Sequence, residues 1–226
     1  MSLGRTLLAE AFDHHQTGGF EEADRLYRRI LADEPAQALA LHRYALLVAQ
    51  LGRLEEADGL LRRALALEPD TVEAVANHAR ILRALRRPDD AARRFRHALT
   101  LAPALLTAQE GLGHAQREGG NTVAAAGSYG RAALLGAGAA ILHQWGVALE
   151  SSGNEAAAAE ALRRSIRLDP TVPSVAVRLA AILQRMGSDG AAGWYRHALV
   201  LQPGRSDVRQ ALVGTVIIPG DGPPRA

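Results

Sequence analysis

The sequence predicts an all-α chain assembled by tandem repetition of a helix–turn–helix unit, and three observations predict it. Prolines mark a period. Pro35, Pro69 and Pro103 fall 34 residues apart, Pro170 follows Pro103 by 67, and Pro203 follows Pro170 by 33. Glycines keep a second beat, with Gly18, Gly52, Gly120, Gly153 and Gly187 each about midway between neighbouring prolines. Between these marks apolar residues return every third or fourth position, as Leu54, Ala57, Leu61, Ala64 and Leu65 do. That spacing makes one face of a helix, and 54–67 is too long for a strand. Self-similarity at such a period indicates stacked repeats that bury a core between neighbours.

The elements follow in order. The first period, from Gly4, pairs an opening helix with "EEADRLYRRILADEP" (21–35), in which Ala23, Tyr27 and Ile30 share a face and Pro35 stops the helix. The second, from Ala38, places Leu41, Tyr44, Ala45 and Val48 on its first helix over 38–50, then Ala57, Leu61 and Ala64 before Pro69. The third, from Val72, carries Ala79, then Ala91, Phe95, Ala98 and Pro103. The fourth, from Leu106, carries Leu112-Gly113, then Ala125, Tyr129 and Ala132, but has no proline near Ala137. Gly127 and Gly130 lie inside its second helix, each about 0.8–1 kcal/mol less favourable there than Ala. The fifth, from Ala139, supplies Trp145-Gly146, then Ala158, Leu162, Ser165 and Pro170. The sixth, from Pro173, supplies Leu179-Ala180, then Ala191, Tyr195, Ala198 and Pro203. Acids open the second helices (Glu21, Glu22; Glu55, Glu56; Asp89, Asp90) and arginine pairs stand toward their ends (Arg28, Arg29; Arg62, Arg63; Arg163, Arg164). Both placements oppose the helix macrodipole, so the arginine pairs read as a solvated outer face. Repeats therefore span 4–205. A further helix over 206–217, N-capped by Ser206, is expected to cover the last of them. The Pro- and Gly-rich 218–226 is expected to be a disordered tail.

Composition narrows function. The chain has 226 residues, 48% hydrophobic but only 4% aromatic, so Ala and Leu carry the packing. All 26 basic residues are arginine against 24 acids, a formal net charge of +2, too mild to point to nucleic acid. No cysteine is present, which removes disulfides, thiolate metal sites and cysteine nucleophiles. No apolar run reaches the ~18 residues of a membrane span and the opening is broken by Glu10 and Asp13. A cytoplasmic location is expected.

The search for chemistry predicts no enzyme. "GLGHAQ" has two of three dinucleotide glycines but lies inside a helix, and no GxSxG or HExxH occurs. His42, His78, His114 and His143 recur near the repeat spacing. Side chains a repeat apart cannot share one ion, whose ligand bonds are ~2 Å. Adjacent His14 and His15 point different ways. No cofactor and no metal is expected. Trp145 and Trp194 are assigned to packing.

The small, large and proline positions quoted above resemble the tetratricopeptide repeat, six copies in phase over about 200 residues. The resemblance implies a right-handed superhelical solenoid of six repeats with a C-terminal capping helix. It also implies a scaffold that receives a protein or peptide segment in a concave groove lined by the first helices. Carried over residue by residue, the groove comprises Arg5, His15, His42, Arg43, Asn77, Arg80, Arg83, His114, Arg117, His143, Gln144, Arg178, Gln184 and Arg185. Its acids are Glu73, Glu110, Glu118 and Glu150, so seven arginines face four glutamates. Such a groove favours an acidic segment, because arginine grips carboxylate oxygens in a fork. The carboxylate clamp of chaperone-binding members is not matched: only Asn77 fits, while Leu8, Phe12 and Gly111 stand where polar residues are required. The opening from Leu7 to Pro35 is also similar to repeats preceding bacterial O-linked N-acetylglucosamine transferases, which makes an acceptor-recruiting region the alternative. The related pentatricopeptide repeat would imply RNA binding, but its longer period does not match. Oligomeric state is left open.

Overall fold

The computed structural model describes residues 3–216, with side chains from Thr6 to Thr215. Among the described residues there are thirteen α-helices and no strand. They are α1 (Leu3–Gln16), α2 (Phe20–Asp33), α3 (Ala38–Gln50), α4 (Leu54–Leu67), α5 (Val72–Ala84), α6 (Pro88–Leu101) and α7 (Leu106–Glu118), followed by α8 (Thr122–Leu134), α9 (Ala139–Ser151), α10 (Glu155–Leu168), α11 (Pro173–Arg185), α12 (Ala191–Leu201) and α13 (Ser206–Val216). The all-α helical-repeat class is as expected, and the expected 218–226 tail lies outside the described residues.

The chain divides between Gly119 and Gly120 into two compact units. In the first, α1 pairs with α2, α3 with α4, and α5 with α6, and each pair packs on the next. In the second, α9 pairs with α10 and α11 with α12, α8 packs on α9, and α13 packs on α12. The first helix of each pair is called helix A below and the second helix B.

The recurring residues explain the packing. Ala23, Ala57, Ala91, Ala125, Ala158 and Ala191, the small residue near each helix B start, are all buried. The absence of side-chain bulk lets helix A approach there. Four residues on, Tyr27, Leu61, Phe95, Tyr129, Leu162 and Tyr195 are the buried large partners. Trp145 and Trp194 are only partly buried: Trp145 lies against Gly130 and beneath Arg164, and Trp194 packs on the edge of the second core.

Turn chemistry fixes both ends. Helix A closes on a left-handed residue at Gly52, Gly153 and Gly187. The next amide reaches back to a carbonyl five residues earlier, as in Arg53 N–H to the Val48 carbonyl, 2.8 Å. This is the Schellman closure. The third repeat has Arg86 at the equivalent place, at φ 59. A side chain costs about 1–2 kcal/mol in that region, so Arg86→Gly should stabilise the chain by about 1 kcal/mol. A thermal melt of the variant that is unchanged or lower would refute this. Helix B ends differently: the residue before each proline is extended, Glu34 at φ −129 and Glu68 at φ −132, as proline requires of its predecessor. Where the fourth repeat lacks proline, Gly136 at φ 92 turns the chain instead.

Two caps were not anticipated. Asn121 and Asn154 accept the amides of Ala124 and Ala157. Conversely, Ser206 lies inside α13, and the first bond of that helix runs from Arg209 N–H to the Arg205 carbonyl. Arg205 therefore occupies the N-cap position, and its guanidinium binds Asp207, pulling that carboxyl down to about 2.

Candidate functional site

The expected binding residues fall on helix A faces, and each unit presents its own set. In the first unit, side chains of successive A helices meet at a separation of 35 residues. His15 Nε2 lies 3.1 Å from Gln50 Oε1, Asn77 Nδ2 lies 3.0 Å from His42 Nε2, and Arg83 Nε lies 3.6 Å from Glu118 Oε1. The Asn77 amide donates to His42, so the neutral ring of His42 carries its proton on Nδ1. Burial pushes the His42 pKa down. Burial and then Arg83 and Arg117 push His114 down to about 4. Arg43 lies flat over the Phe12 ring, 4.1 Å from its centroid, a cation–π contact that holds the guanidinium on the face. The side chain of Arg5 lies outside the described set.

Between α5 and α7 this face opens into a cleft of about 340 Å³ lined by Asn77, Arg80, Arg83, Glu110, Gly111 and His114. Its shape comes from one close approach. The Phe95 ring, rising from helix B, fills the place of a Gly111 side chain, and a Cβ there would lie 2.2 Å from Phe95 Cζ. Arg80 is exposed at the rim, Arg117 is exposed further along α7, and neither has an ion-pair partner among the described residues. Burial raises the pKa of Glu110.

The second unit departs from expectation. Arg178 and Arg185 each lie 2.6 Å from a Glu150 oxygen, and Arg185 Nε lies 2.6 Å from Glu155. Although burial opposes ionisation, the bonds from Arg178 and Arg185 hold the Glu150 carboxyl below its ordinary range. Glu155 begins helix B and was absent from the expected groove. Counting it, this face is neutral, and the basic surplus resides in the first unit. Gln184 accepts the Tyr195 hydroxyl at 3.0 Å, which ties it to its own hairpin. His143 and Gln144 are half-buried on α9, and burial followed by Arg178 lowers the His143 pKa.

Away from both faces, an unforeseen network recurs at a period of 34 residues. Asp24 on α2 binds the Tyr44 hydroxyl (2.9 Å), Arg53 (3.0 Å) and Arg28 (2.6 Å). Asp58 on α4 binds His78 Nε2 (2.7 Å) and Arg62, with Arg87 at 3.6 Å. Each aspartate thus fastens its helix B to helix A and the following turn of the next repeat. Asp58 and His78 are both buried, and the pair accounts for the one recurring histidine that turns away from the groove face. Burial opposes ionisation of Asp58, but the bonds from Arg62 and His78 outweigh it and lower its pKa.

Among the described residues, no group of three or more His, Cys, Asp or Glu is placed to hold a metal ion. No helix among them is long and apolar enough to cross a membrane.

Tetratricopeptide repeat models match residues 8–74, 77–140 and 139–172. The chain belongs to the tetratricopeptide repeat family. Pseudomonas aeruginosa pilF superposes with a TM-score of 0.72 at 18% identity, over 93% of this chain and 97% of that one. YrrB, described as a TPR protein with an unusual peptide-binding site, gives 0.73 at 17% identity over 82% and 96%. PilW, described as a widely conserved type IV pilus biogenesis factor, gives 0.70 at 17% identity over 94% and 99%. At these identities the likeness is one of fold. No curated protein sequence matches the chain. The likeness of 7–35 to repeats preceding glycosyltransferases rests on the acids, Ala, Tyr and Pro that build any of these hairpins, so it says nothing about a following enzyme domain.

Proposed function

We propose that the chain is a protein-interaction scaffold without catalysis of its own. Six repeats over 4–205 expose helix A faces to a partner segment, and α13 serves as the cap expected over 206–217. Val208 of α13 is buried against the second core, with Ala211 and Leu212 beside it, as a cap requires. The observation that carries the reading is the first-unit face. There Arg80 and Arg117, free of carboxylate partners, flank a cleft edged by Asn77, Arg83 and His114. Arginines so placed grip the carboxylates of an acidic peptide segment without first giving up an internal partner. The peptide-binding site named for YrrB supports a groove-borne ligand in this fold. On the second unit, His143, Gln144, Arg178, Gln184 and Arg185 add contacts, the two arginines at the cost of loosening from Glu150 and Glu155.

The test is a binding isotherm for the acidic segment of a partner first captured on the immobilised chain and identified by mass spectrometry. Joint replacement of Arg80, Arg83 and Arg117 by Glu should weaken binding by roughly a hundredfold, since each lost charge-assisted bond is worth about 1.5–3 kcal/mol. Circular dichroism should stay unchanged. Equal affinity of the triple variant would refute the groove reading.

A further inference from the structure

Two clefts occupy equivalent places in the first unit, one repeat apart. The earlier is lined by Arg28, Tyr44, Glu56, Gly59, Leu60 and Arg63. The later, about 430 Å³ and bounded by α4, α5 and α6, has Arg62, His78, Asp90, Arg93, Arg94 and His97 at the corresponding positions, each 34 residues on. The earlier copy shows what packing alone asks for, namely Gly59 and Leu60. The later copy puts Arg93 and Arg94 there instead.

The charges in the later cleft do not balance. Asp58 serves Arg62 and His78 and lies 3.6 Å from Arg87, while Asp90 is paired with Arg87 and Arg93. Arg94 has no carboxylate partner among the described residues. Four guanidinium groups thus face two carboxylates around one cavity. His78 takes the place of Tyr44. Its Nε2 is held by Asp58, and its Nδ1 is buried with no hydrogen-bond partner.

We propose that this cleft is an anion site that takes a phosphate group, either free phosphate or a phosphate monoester. Planar guanidinium forks match phosphate oxygens, and the surplus of two positive charges matches a hydrogen phosphate dianion. The site is linked to His78. After burial itself, the positive fields of Arg94 and Arg62 favour the neutral ring, while Asp58 opposes them. Arg87, Asp90, Arg93 and His97 complete the charged lining. A dianion held by Arg62 and Arg94 cancels their field, so the His78 pKa rises on binding and a proton is taken up with the anion.

The experiment is an NMR titration of the full chain with sodium phosphate at constant ionic strength, repeated with phenyl phosphate. Saturable shifts should localise to α4, α5 and α6, and the His78 imidazole should titrate at higher pH when the site is filled. Arg94→Leu, the residue type of the earlier copy, should weaken binding roughly tenfold with an unchanged melt. Equal binding of phenyl phosphate assigns the monoester class, and binding of phosphate alone assigns the free ion. Linear shifts without saturation, shifts insensitive to Arg94→Leu, or an unmoved His78 titration would each overturn the proposal.

Discussion

Phe95→Ala should cost the fold about 3–5 kcal/mol, the largest loss of any single replacement considered for the first unit. The ring is buried and supports the floor of the helix A cleft by filling the space of a missing Gly111 side chain. Gly111→Ala attacks the same contact from the other side. Its Cβ would meet three ring atoms at 2.2–2.8 Å, and overpacking of this kind costs about 1–3 kcal/mol. The double variant should cost less than the two losses added, because the methyl group introduced by Gly111→Ala then has the room the ring vacated. Denaturation followed by circular dichroism measures all three variants. Additive losses would show that the ring does not rest on Gly111.

Mild acid should weaken the fold before its carboxylates titrate. His42, His78, His114 and His143 are all held below the ordinary histidine value of 6.5, burial being the first cause in each, and His114 falls to about 4. Between those values the unfolded chain binds protons that the folded chain refuses. Stability is therefore full above pH 6.5 and is lost as pH falls toward 4. His114 is only half-buried, and after allowance for screening its share is on the order of 1–2 kcal/mol. Asp24, Asp58 and Glu150 have lowered pKa values, so their contribution survives this window and fails only in stronger acid. Urea midpoints measured from neutral pH to about pH 4 should fall steadily, and His114→Gln should flatten the slope. A flat wild-type profile would refute the assignment of neutral, buried histidines.

Helix positions were legible because each is over-determined. Over 54–67, apolar spacing, acids at the start and proline after the end all agree, and α4 occupies that span. The same holds for α3 over 38–50. Which residues share a helix A face was legible too, since it follows from the period. Whether they are free was not. Arg178 and Arg185 look like Arg80 in sequence, yet Glu155 reaches Arg185 from a neighbouring helix start, a matter of side-chain reach that spacing does not encode. The Asp58–His78 pair was likewise hidden, because an aspartate within an acidic first turn reads as a dipole partner. A signal did exist: Asp24, Arg28, Tyr44 and Arg53 return 34 residues later as Asp58, Arg62, His78 and Arg87. Four polar positions repeating in step, where surface residues are free to drift, mark a shared contact.

The aspartate network also sets how the chain can grow. Its next copy is absent, since Ala92, Leu112 and Asn121 stand where an aspartate, its ring partner and its turn arginine would be. Yet every bond in it joins one hairpin to the next and none reaches further. A second copy of 54–87 spliced in after Arg87 would bring both halves of its joint with it. The inserted Asp58 would find the His78 and Arg87 inserted beside it, and the original Asp58 would keep its own. Length in this stretch is thus an adjustable quantity, with adhesion between modules already written into each module.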